Sequence, residues 1–129
     1  MKGYLENIEK LTLENNDYRR VLYTGKHMQL VLMSIEPGDE IGAETHTGID
    51  QFIRIESGVG KVVIDGEASD IADDDVVIIP AGALHNVINT GDSPLKPYSL
   101  YGPPEHRHDV VHPTKADETE EHFDGVTSE

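Results

Sequence analysis

Between Tyr18 and Tyr101 the chain alternates apolar and polar residues in runs of four to eight, broken by turns rich in Gly, Pro and Asp. Runs of that length with a period of two are strands, so an all-β, antiparallel fold is expected, either closed or sandwiched. The predicted strands are Tyr18–Thr24, Met28–Ile35, Gly42–His46, Gln51–Ser57, Gly60–Ile64, Ser69–Ala72, Val76–Ile79, His85–Asn89 and Lys96–Tyr101. Asp65-Gly66 sits between two of them with the φ tolerance of a two-residue hairpin. Residues 1–14 hold at most a short helical turn. Alternation assigns Val31, Met33, Ile53, Ile55, Val87 and Leu100 to the interior, and Phe52, Arg54, Val62 and Ile64 to the outside. Outward apolar residues beside open strand edges predict a symmetric homodimer.

Length allows one core, which we place in residues 15–104, with 1–14 as an N-terminal segment and 105–129 as an acidic, His-containing tail. That tail carries eight acids, two bases and four histidines (His106, His108, His112, His122), the composition of an exposed polar segment draped on a domain. There is no cysteine, so a metal must be held by His, carboxylate or amide oxygen. The net charge of −15 repels phosphate backbones and anionic lipid, which argues against nucleic acid and membranes as partners. Met1–Glu6 lacks the apolar centre of a signal peptide, and the expected location is cytoplasmic.

Alternation also gathers the candidate chemistry. Glu44 and His46 are two apart on one strand, and Gln51 follows a Thr47-Gly48-Ile49-Asp50 turn that reverses the chain and lets its side chain face the same interior. His85 opens another strand just after Pro80-Ala81-Gly82. Gly38, Glu44-Thr45-His46, Gln51 and Gly58 stand at spacings that resemble the first motif of the cupin superfamily, and Pro80-Ala81-Gly82, His85 and Asn89 resemble the second. Two positions depart from the usual pattern: Glu44 replaces a His, and Gln51 replaces a Glu. The resemblance extends to small single-domain cupins often labelled mannose-6-phosphate isomerase-like. It implies a jelly-roll barrel with one divalent ion per chain (Mn, Fe, Ni or Zn), held by Glu44, His46, Gln51 and His85.

Together the two departures move a carboxylate rather than delete it, so the ligand set keeps one negative charge. Exchanging an imidazole for an amide carbonyl weakens binding of Cu and Zn relative to Mn or Fe. With Gln51 set aside, two His and one carboxylate match the composition of mononuclear non-haem iron oxygenase sites. Three functions follow as expectations. The first is a metal-dependent enzyme on a small polar substrate, sugar isomerase-like by resemblance. The second is a mononuclear non-haem iron dioxygenase, which needs an apolar pocket around the reactive oxygen. The third is a non-catalytic small-molecule binding or sensor barrel. A phosphorylated sugar is disfavoured, because Arg54 is placed outside and the protein is strongly anionic.

Overall fold

Nine strands, every pair of neighbours antiparallel, carry the chain from residue 19 to 112 in a computed structural model that describes residues 1–129. They are β1 (Arg19–Thr24), β2 (Gln29–Met33), β3 (Asp50–Ser57), β4 (Val59–Ile64), β5 (Glu67–Ala72), β6 (Val76–Ile79), β7 (His85–Asn89), β8 (Lys96–Gly102) and β9 (Val111–His112). A six-stranded sheet runs β6-β3-β8-β2-β1-β9, and a three-stranded sheet runs β5-β4-β7. This is the expected all-β, antiparallel jelly-roll arrangement. Ile35, Ile53, Ile55, Val62, Ile71, Val87 and Leu95 meet between the sheets as the main core. The β4–β5 hairpin turns at Asp65 (φ 47°) and Gly66 (φ 86°), two successive positive φ values that its dipeptide tolerates. At Gly60 a Cβ would stand 2.3 Å from the Ile88 carbonyl oxygen, so β4 and β7 close on each other only where no side chain intervenes.

Several expected features shift. The 42–46 segment is not a strand; it touches β7 through one bridge, Glu44 to His85, and Glu40 just before it makes another, to Ile88. Gly42 (φ 103°) and Gly48 (φ 74°) bend it away on either side. Val62 lies in the core at 4% exposure and Ile64 packs against it, so neither is on the outer face. On β8 the buried positions are Pro97, Ser99 and Tyr101, which turns Leu100 outward instead of into the pocket. Alternation fixes parity along a strand but not which parity faces in, and a one-residue error reverses every assignment on that strand. Phe52 does face outward, half-buried against the Tyr98 ring at 6.3 Å.

Both ends of the chain pack on the barrel. Helix α1 (Ile8–Glu14) is capped by the Asn7 side chain, which accepts from the Lys10 amide at 3.0 Å. It lies beside the six-stranded sheet, where Lys96 Nζ donates to the carbonyls of Leu13 and Asn15. Residues 105–129 return along β1: β9 pairs with Arg19 and Arg20, and Val110, 2% exposed, joins Val21, Val31 and Tyr101 in a second cluster. Further on, the Ser128 amide donates to the Thr24 carbonyl at 2.8 Å. His106 and His112 are therefore drawn inward, while His122 stays exposed.

Candidate metal centre

Glu44, His46 and His85 place one donor atom each within 4.8 Å of one another. Elements far apart in the chain do this. Glu44 and His85 are held by reciprocal backbone hydrogen bonds, each amide 2.9 Å from the other's carbonyl, and the Gly82 amide bonds the His46 carbonyl at 3.0 Å. His85 Nδ1 lies 3.0 Å from the Ala83 carbonyl; a carbonyl only accepts, so Nδ1 carries a proton and Nε2 is the nitrogen turned toward the site. That Nε2 is buried, has no hydrogen-bond partner and sits 3.6 Å from Glu44 Oε1.

His46 completes the triad between two acids, with Nε2 at 3.3 Å from Glu44 Oε1 and Nδ1 at 3.5 Å from Glu105 Oε2. Burial works against its charged form, yet Glu105 and Glu44 outweigh burial and push its pKa up to about 9. The opposite holds at Glu44: burial would raise its pKa, but His46 and His85 keep the carboxyl far below the usual range. A carboxylate, two imidazoles and a charge deficit at their centre suit a divalent ion. Gln51, 2% exposed, lies nearby through Tyr101. Its Nε2 donates to Tyr101 Oη (3.2 Å) and Ser99 Oγ (3.3 Å), which leaves Oε1 buried without a partner. Tyr101 in turn meets the His46 ring edge-on at 5.7 Å.

Residues 31–101 match the model of the cupin domain family. The chain belongs to the cupin family. Its similarity to the uncharacterized Bacillus subtilis protein YrkC is 48% identity over 123 residues, 90% of this chain and 66% of that protein. The chain thus spans about two-thirds of the length of that Bacillus subtilis protein. A crystal structure from Bacillus halodurans superposes with a TM-score of 0.88 at 46% identity, covering 90% of this cupin and 92% of that chain. A structure described as a predicted oxalate decarboxylase from Thermotoga maritima gives a TM-score of 0.57 at 26% identity, over 60% and 67% of the two chains.

Beside Glu44 and His46 the cupin barrel opens into a cleft of about 190 Å³ with no apolar residue in its lining. Glu44 and His46 form its floor, and Arg19, Glu105, His106 and Glu118 are among its walls. None of these four wall residues follows from the motif spacing. Arg19 had a signal, since it stands two residues before the inward Val21 and shares its face. His106 had none of that kind. It is positioned by the buried Gln29 side chain, whose Oε1 accepts from the amides of Glu105 (3.2 Å) and His106 (2.9 Å), and whose Nε2 donates to the His106 carbonyl at 2.7 Å. Burial, with Arg19 close by, pushes the His106 pKa down to about 3, so its imidazole is neutral, and its Nε2 is unpartnered. Arg54, by contrast, is outside as expected, paired with Asp74 at 3.0 Å.

Proposed function

We propose that this cupin is a divalent-metal-dependent enzyme acting on a small polar substrate, with isomerase-like proton transfer as its chemistry. The carrying observation is the all-polar cleft lined by Glu44 and His46, two of the three clustered donors. Oxygen insertion calls for apolar walls around the reactive oxygen, and here the apolar residues that were expected to form them are packed in the core or, for Leu100, turned outward. A bound Mn, Fe, Ni or Zn ion would act as a Lewis acid toward a carbonyl or hydroxyl oxygen. Glu44, His46 and His85 would hold the ion, and the unpartnered buried Oε1 supports Gln51 as a fourth ligand.

The chain's own groups supply the rest. Glu105 beside Nδ1 orients the His46 ring and increases its basicity as a ligand. Neutral His106, with Nε2 unpartnered at the cleft wall, is a hydrogen-bond partner that orients a bound substrate's hydroxyl or carbonyl group. Tyr101, its pKa raised by burial, stays protonated and steadies Gln51 through their hydrogen bond. The test is metal analysis of protein purified without chelators, followed by a substrate screen under air and under nitrogen. Turnover of a hydroxy-carbonyl substrate under nitrogen that fails in His106→Ala supports this reading. Oxygen consumption would move the protein to the dioxygenase class, and ligand-induced stabilisation with no turnover to a binding barrel.

The working unit we propose is a cytoplasmic homodimer. No helix is long and apolar enough to cross a membrane. β6 is an edge strand with Val76 (52%) and Ile78 (63%) exposed, and Ile78 is in register with Phe52 and, across β3, with Leu100. An open edge flanked by an apolar row is what a second copy covers. Sedimentation at micromolar concentration is expected to give twice the chain mass, and Ile78→Lys is expected to give the monomer. A monomeric wild type at those concentrations would refute the dimer.

A further inference from the structure

Arg19 is a cation in a place that an anionic protein has little reason to bury. It is 4% exposed, on β1, in the wall of the same cleft as Glu44 and His46. Only Nη1 is engaged: it donates to Glu118 Oε2 at 2.6 Å and stands 3.4 Å from His112 Nδ1. Nε is buried and has no partner. A guanidinium binds carboxylates best as a two-pronged fork, so Glu118 uses this one through a single nitrogen and leaves another unsatisfied.

Glu118 is also loosely held. Its side chain is 35% exposed, and it follows the single 3-10 turn at Lys115–Asp117. The next two residues, Thr119 and Glu120, make no backbone hydrogen bond to the rest of the chain. Rotating this stretch outward breaks one ion pair and exposes the guanidinium to the cleft. The overall charge of −15 argues against an anionic ligand in general. It does not argue against an exchange, because replacing the Glu118 carboxylate by a ligand's carboxylate leaves the charge of the cleft unchanged.

We propose that Arg19 is the anion-recognition residue of this cleft, that the substrate carries a small carboxylate, and that Glu118 holds the carboxylate's place until it is displaced. This names the substrate class for the cleft of the proposed function and takes that cleft to be the substrate site. The ligand's carboxylate takes Glu118's place on Nη1 and completes the end-on fork with Nη2, and its remaining oxygens lie toward the Glu44 and His46 donors. Because the tethered Glu118 competes within the molecule, the affinity seen for a free carboxylate is reduced by the fraction of time the pair is open.

Acetate is the probe, titrated into full-length ¹⁵N-labelled protein while the Arg19 Nε–H resonance is followed by NMR. The titration is made on wild type, Glu118→Gln, and Glu118→Gln combined with Arg19→Lys. Each is measured after chelator treatment and again with Zn²⁺ added. Glu118→Gln is expected to bind acetate about tenfold more tightly than wild type and to shift the Nε–H signal; the added Arg19→Lys, read on the cleft amides, is expected to remove most of that gain. Unchanged acetate affinity in Glu118→Gln would overturn the proposal, as would a gain that survives Arg19→Lys. Inorganic phosphate binding more tightly than acetate would overturn the carboxylate assignment. The chelated arm remains readable if no metal binds at all, so failure of the metal site and failure of the Arg19 assignment are separable.

Discussion

Replacing His85 with alanine is expected to lower Mn²⁺ affinity at least a hundredfold, a loss of about 2.7 kcal/mol. His85 is the most rigidly presented donor of the triad. Its ring is 4% exposed, its backbone is bonded to Glu44 in both directions, and its Nδ1 proton is committed to the Ala83 carbonyl. Nε2 is thus held facing the site, and little ordering remains to be done when an ion arrives. Alanine removes that donor and leaves Glu44 and His46, too few ligands to hold the ion without extra water. The same substitution at Gln51 is expected to cost about tenfold, because an amide oxygen is a weaker donor than an imidazole. Calorimetric titration with Mn²⁺ of wild type, His85→Ala and Gln51→Ala under nitrogen measures both, with far-ultraviolet circular dichroism confirming that each variant is folded. Wild-type affinity in His85→Ala would remove this residue from the metal site.

What could be read from the sequence divides along a physical line. Most of the strands were legible because alternation is local, and Glu44, His46 and His85, though they come from distant elements, were legible through two motif spacings. Short alternating runs announce strands, and each motif packs its donors into a few residues around a turn. The inward side of β4 and β8 was not legible, since Val62 and Leu100 satisfy alternation equally well on either face until the opposing sheet is in place. Least legible of all was the cleft wall. Arg19 meets Glu118 across 99 residues, and Gln29 fixes His106 across 77. Those contacts are polar, and beyond Val110 the 105–129 segment docks without any periodic apolar stripe that would mark it as part of a folded body. Its acidic composition suggested a solvated tail, whereas much of its charge is directed at particular partners: Glu118 at Arg19, Lys115 at Asp39, and Glu129 at Tyr23.

The buried imidazoles impose a pH dependence on the metal-free protein that metal should partly erase. His46 has its pKa pushed up to about 9 in the fold, from an ordinary value of 6.5. A raised pKa means that the folded state holds the proton more tightly than the unfolded chain does. The resulting stability is therefore complete below about pH 6.5 and drains away as the pH rises to about 9, a loss of about 3 kcal/mol. His106 acts in the opposite sense. Burial lowers its pKa to about 3, so below pH 6.5 the unfolded chain takes up a proton that the folded state refuses, and stability falls as acid is added. Chelator-treated protein is accordingly expected to be most stable near pH 6.5, with its melting temperature about 10 °C lower at pH 9. A divalent ion competes with the proton for His46 Nε2, so the ion-saturated protein already lacks that proton at neutral pH and its alkaline decline should flatten. Thermal melts from pH 4 to 9.5, with chelator and with excess Mn²⁺, test both statements. A metal-free melting temperature that stays level from pH 6.5 to 9 would mean that Glu44 and Glu105 do not hold a proton on His46, and the electrostatic account of the centre would fall with it.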